Sequence, residues 1–137
     1  MKFKVIVLLL AVSMVFSANV YAAVIGTDNE EVKKCADPIL DNILQAMASD
    51  DYLKYSKDFD KQLRVMVSQK KFIAKRKEIY DWIGGYLYRE YLGFINTQGA
   101  TVVFWKGTFD KTQNDILIRI TLNKEQGRVL VKGLFYQ

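Results

Sequence analysis

With no histidine and a single cysteine, Cys35, the chain has few side chains able to act as nucleophile, base or zinc ligand. The usual catalytic triads and dyads and the common zinc sites are closed to it. It also lacks a phosphate loop of the G-x-x-x-x-G-K-S/T type, a dinucleotide G-x-G-x-x-G and a G-x-S-x-G elbow. What is left is acid–base chemistry by carboxylate, lysine or tyrosine, which needs burial or a neighbouring charge to shift a pKa. No metal and no cofactor is expected. Asp58 and Asp60 flank Phe59. Two apart on a helix they diverge, so they are read as caps or surface charges. Asp110 and Asp115 fall in a turn, where Asp serves backbone geometry.

Arg76 is more informative. On a helical wheel it falls among Phe72, Ile73, Ile79, Tyr80 and Ile83, the face expected inward, while Lys70, Lys71, Lys75 and Lys77 mostly lie off it. A buried guanidinium needs a partner. That partner is either an anion or carboxylate inside the fold, or a structural acid such as Glu90 met by an arginine whose stem lies on the core. Arg89, just past Gly84-Gly85, is a second candidate on the same logic. Tyr80, Tyr86, Tyr88 and Tyr91 surround this junction with amphipathic rings suited either to a ligand site or to capping a core. Ligand contacts are therefore expected at Arg76, Tyr80, Arg89 and Trp105. The cluster Lys70 to Lys77 reads as a solvated helix face, because basic residues without a flanking apolar edge bind membranes poorly.

The elements that must position these residues follow from periodicity. Asp37-Pro38 carries the signature of a helix start, an Asp cap followed by Pro at the first helical position. Ile39, Leu40, Ile43, Leu44 and Met47 continue at helical spacing, and after Ser49-Asp50-Asp51 come Tyr52, Leu53, Tyr55 and Phe59. From Asp60, the apolar positions Leu63, Met66, Val67, Phe72, Ile73, Ile79, Tyr80 and Ile83 predict two helices with a joint at Ser68 to Lys71, ended by Gly84-Gly85. The period then changes to alternation, predicting strands over Tyr86 to Asn96, Thr101 to Phe109, Ile116 to Leu122 and Arg128 to Tyr136. Connections this short make an antiparallel meander, since parallel crossovers need more chain. Gly93, Gly107 and Gly133 inside the strands suggest a strongly curved sheet. In the second strand Val103, Trp105 and Phe109 point one way, while Val102 and Phe104 point the other. If the first set faces the helices, Val102, Phe104, Leu117, Leu130 and Leu134 are left on the opposite face. An apolar patch of that kind is expected to pair two copies or to dock a partner.

Lys2 and Lys4 precede the apolar run Val5 to Val12, and Ser13, Ser17 and Asn19 lead into Val20-Tyr21-Ala22-Ala23. This predicts a signal peptide over residues 1–22, cleaved after Ala22, and a secreted or periplasmic product. The run is shorter than the about 20 residues of a membrane span, and Cys35 stands too far from it for a lipoprotein. Without the leader the chain keeps 115 residues, 18 basic and 15 acidic, a charge of +3 that gives no argument for nucleic acid. One domain is expected at 37–137, after a polar lead-in at 23–36 that carries Cys35 as an incidental thiol. A lone cysteine allows no intramolecular disulfide.

Helices followed by a curved four-stranded meander is an order that resembles the NTF2-like (cystatin-like cone) superfamily, in particular its small uncharacterised exported bacterial domains. The similarity covers about Asp37 to Gln137. It rests on Tyr55-Ser56-Lys57-Asp58-Phe59-Asp60, the Gly84-Gly85 junction, Phe109-Asp110-Lys111 and Val131-Lys132-Gly133-Leu134. It implies an α+β cone, pairing through the sheet and, in some enzymes of the superfamily, a pocket Asp as base. The leading expectation is an exported noncatalytic domain that binds a small ligand or a protein partner. The alternatives are an isomerase- or dehydratase-like enzyme using a cone carboxylate and tyrosines, and a purely structural envelope accessory domain. A carboxylate facing the cone interior separates the first from the second.

Overall fold

The computed structural model describes residues 22–137, so that the expected leader, Ala22 apart, lies outside the described residues. The first helix, α1 (Asn29–Ser49), is opened by Asp28, whose carboxylate accepts the Glu31 N–H at 2.9 Å, while the Glu31 carboxylate accepts the Thr27 N–H at 2.8 Å. The helix start expected at Asp37-Pro38 is thus corrected: Pro38 lies inside α1. An interior proline costs about 3 kcal/mol. Val32, Leu40 and Ile43, essentially fully buried on one face, each return about 1.5–3 kcal/mol, so the stripe outweighs the proline and the helix runs through it.

The expected polar lead-in is built into the fold as well. Ala23 exchanges two backbone hydrogen bonds with Lys124, and the Ile25 N–H donates to the buried Thr101 hydroxyl at 3.1 Å. Cys35 sits half-buried on α1 against the core rather than on a loose segment.

α1 ends at Asp50 in the left-handed region (φ 56°). Three further helices follow, each opened by a side-chain cap: α2 (Tyr52–Tyr55) by Asp51, α3 (Lys61–Met66) by Asp60 and α4 (Gln69–Trp82) by Ser68. The face that α4 turns to the core is narrower than its apolar pattern suggests. Phe72 and Ile79 are buried, but Ile73, expected among them, is exposed, as are Leu53 and Met66 from the preceding helices.

Gly84 turns the chain from α4 into the sheet at φ +81°, where a Cβ would lie 2.0 Å from Asp110 Oδ1. The same Asp110 carboxylate accepts the Gly85 N–H at 2.9 Å, pinning the junction to the end of the second strand. The strands β1 (Tyr86–Thr97), β2 (Ala100–Phe109), β3 (Ile116–Glu125) and β4 (Arg128–Tyr136) form one antiparallel meander in the order β1-β2-β3-β4. The fold is α+β, with helices preceding a four-stranded antiparallel sheet.

Alternation places Val103, Trp105 and Phe109 of β2 and Ile116, Ile118, Ile120 and Leu122 of β3 in the core. Val102, Phe104 and Leu117 alternate with them and are half-exposed on the outer face. Leu134 is a correction. Leu122 pairs with Val131 but Thr121 pairs with Gly133, so Lys132 is an extra residue that shifts the side-chain alternation of β4 by one. Leu134 therefore pairs with Ile120 and packs against the core, on the face opposite to the one expected. Leu130, between the core-packed Val129 and Val131, borders a separate groove with Phe59, Asp60 and Arg128.

Candidate functional site

A pocket of about 310 Å3 opens between the second half of α1, the end of α4 and the start of β1, next to the glycine junction. Leu44, Met47, Ile79 and Phe109 give it an apolar floor, and Tyr80, Tyr86, Tyr136, Asp41 and Arg89 give it polar groups. The size is at the lower end for a small-molecule site.

Arg89 reaches this pocket because it lies on the inward face of β1, opposite Gly107, which has no side chain to compete for the space. Its guanidinium donates to Asp41 at 2.6 Å and to the Tyr86 hydroxyl at 3.3 Å, and stands 3.6 Å from Asp37. With only 15% of its side chain exposed, such pairing is required of it. Burial alone would lower the Arg89 pKa, but the hydrogen bonds and charges of Asp41 and Tyr86 outweigh it and raise it.

Asp37 ties the same cluster to the core. It accepts the indole N–H of Trp105 at 3.0 Å and a hydrogen bond from Lys33. Burial pushes its carboxyl up. The bonds from Lys33 and Trp105, with the charges of Lys33 and Arg89, overcome this and hold it below the ordinary carboxylate range. A carboxylate held down in this way is a fixed anion and a weak base at neutral pH. Trp105 itself is fully buried, stacked edge-on with Tyr91 at 6.3 Å, and borders a polar recess beside Asp37 and Arg89 rather than the pocket at the glycine junction.

Arg76 lies outside the pocket lining. It crosses the Tyr80 ring at 5.0 Å and donates to the carbonyls of Met47 and Ala48, with Asp50 3.9 Å away. Those carbonyls belong to the last turn of α1, which carries no basic residue of its own, so Arg76 supplies the positive charge that a helix C-terminus favours. Its partners are this helix end and Asp50; Glu90, the acid considered for it, pairs with Lys106. Tyr80 lines the pocket beside it.

At the pocket's deep end the Tyr136 hydroxyl donates to the Met47 sulfur at 3.2 Å. Burial, then the neighbouring Tyr55 and Tyr80, push the Tyr136 phenol far above its ordinary value, and burial lifts Tyr55 to about 12. Both stay protonated and neutral under ordinary conditions.

Of the four ligand candidates the pocket gathers Tyr80 and Arg89, while Arg76 and Trp105 support it from outside. The sequence reading missed Asp37 and Asp41. Their spacing with Lys33 (33, 37, 41) would have marked one face of a helix, had Pro38 not placed the helix start there. Among the described residues no group of three His, Cys, Asp or Glu is arranged to hold a metal ion, and no helix is long and apolar enough to cross a membrane. No family model, curated protein or solved structure matches the chain.

Proposed function

We propose that the chain is an exported, noncatalytic NTF2-like domain whose cone holds a small, largely apolar ligand. The carrying observation is a preformed pocket whose carboxylate is already paired: Asp41 stands at the rim, half-exposed, and Arg89 occupies it at 2.6 Å. Groups fixed in ion pairs orient a ligand well and shuttle protons badly. The tyrosine hydroxyls and the Asp41–Arg89 pair offer donors and acceptors at the rim, and the Leu44, Ile79 and Phe109 floor takes the ligand's body. The acid–base alternative keeps one observation in its favour, the presence of Asp41 in the lining.

Native mass spectrometry of the protein purified from its own host tests the proposal. A small molecule released on denaturation, and absent from a pocket-filling Leu44→Trp variant that still folds, is the expected result. A protein that arrives empty and whose melting temperature no compound raises in a broad ligand screen would refute it. Turnover abolished by Asp41→Asn would favour the enzyme.

A second copy is proposed for the outer face of the sheet. Phe104, Val102 and Leu117 lie there with Ile95 and Phe135, the last two 57% and 51% exposed. Pairing through the sheet edges is disfavoured. β1 bulges at Leu87 and Leu92, and β4 is bonded to the 58–60 segment through Val131. The face is the route that remains.

A further inference from the structure

Four large apolar side chains stand out from the helical side of the molecule: Val65 is 82% exposed, Leu53 80%, Met66 57% and Ile73 53%. They belong to one shoulder. The Tyr52 hydroxyl donates to the Val67 carbonyl at 2.6 Å, the Arg64 guanidinium to the Ser56 carbonyl at 3.1 Å and the Lys71 ammonium to the Met66 carbonyl at 3.1 Å, which fastens α2, α3 and the start of α4 together. Lys57, Lys61, Arg64, Lys70 and Lys71, all exposed, flank these tips in the sequence, and none of them is in an ion pair among the described residues.

The charge of the chain is divided accordingly. Residues 52–83 hold nine basic and four acidic side chains, whereas residues 23–51 hold two basic and seven acidic. The excess is carried by residues 57–77, eight basic and two acidic, which include Val65, Met66 and Ile73, while Asp50 and Asp51 lie in the groove beside Leu53.

We propose that this shoulder docks on an anionic phospholipid bilayer. Lysines set among exposed aliphatic tips match a headgroup interface, where the tips enter the acyl boundary and the ammonium groups stay with the phosphates. An acidic protein would engage the lysines without requiring Val65 and Leu53 to stand clear. The sequence argument against membrane contact was the lack of an apolar edge beside Lys70 to Lys77, and the fold supplies that edge from other elements. The proposal is independent of the pocket.

The test uses the chain as its host accumulates it, with wild type and variants sharing one amino terminus. Sedimentation with vesicles of phosphatidylglycerol and phosphatidylethanolamine, and with phosphatidylcholine alone, is combined with amide hydrogen exchange. Binding should require the anionic lipid, weaken in high salt and slow exchange over residues 61–73. Lys61→Gln and Lys70→Gln should each weaken binding about fivefold, and Val65→Ser should weaken it too. Melting temperatures should stay unchanged, because these side chains are exposed, and Phe135→Ser on the sheet should bind as wild type. Unaltered exchange over 61–73 with anionic vesicles, or equal binding to phosphatidylcholine, would overturn the proposal. So would polyglutamate binding that matches vesicle binding and ignores Val65→Ser, which would point to an acidic protein instead.

Discussion

Asp37 takes donors from three elements: Lys33 on α1, Trp105 on β2 and, at longer range, Arg89 on β1. Because its folded pKa lies below the ordinary value of 3.8, its stabilising contribution is complete above that value and is lost as pH falls through the folded pKa. Asp37→Asn keeps an acceptor for the indole and removes the charge. The variant should lose about 1–2 kcal/mol at pH 7, as expected for a partly buried, hydrogen-bonded charge. In urea melts the gap from wild type should shrink below pH 3.8. A gap of equal size at both ends would mean that shape, not charge, is what Asp37 provides. Arg76 shows a different use of charge at this scale. Expected to meet an acid or a bound anion, it meets the carbonyl end of a helix, which presents a partial negative charge, with the carboxylate of Asp50 3.9 Å away.

The junction between α4 and β1 depends on one backbone conformation. Gly84 at φ +81° faces Asp110 Oδ1 so closely that a methyl group has no room, and Lys111 N would be 2.9 Å away. Gly127, in the β3–β4 turn at φ +76°, has open space around the same position. Gly127→Ala should therefore cost about 1–2 kcal/mol, the left-handed backbone term alone. Gly84→Ala should cost clearly more, because Asp110 must move and release the Gly85 N–H. Thermal melts of the two variants separate the contributions. Equal losses would show that the Asp110 contact is soft. The strand bulges act at this scale too: one extra residue at Lys132 sends Leu134 inward, and those at Leu87 and Leu92 interrupt the outer edge of β1.

For the whole molecule, the sheet's outer face and the helical shoulder are separate surfaces with separate proposals, and a variant in one should leave the other intact. Light scattering should find the wild type dimeric and Phe104→Glu monomeric, with an unchanged melting temperature for the dissociated chain, since Phe104 lies outside the core. A wild type that stays monomeric at high concentration removes the second copy from the sheet face. Dimers that persist in Phe104→Glu would move the contact elsewhere.

Alternation of side chains and the Gly84-Gly85 stop were enough to predict four strands and their meander order, because period and turn chemistry are local properties; with both faces of β2 apolar, only the fold decided that Val103, Trp105 and Phe109 turn inward. The structure keeps Arg128 to Tyr136 as read, lengthens the first strand to Thr97 and starts the second at Ala100, one residue each, and carries the third on to Glu125. The start of α1 was also encoded locally, in Asp28, Glu31 and Val32, but a proline signal that usually marks a boundary outweighed it. No local pattern contained the Asp41–Arg89 pair, whose partners are 48 positions apart, or the parity change at Lys132, which exists only against β3. Nor did helical spacing show that Leu53, Met66 and Ile73 would all stay uncovered. An apolar stripe states what can be buried, and the width of the surface it meets is fixed only when the chain is folded.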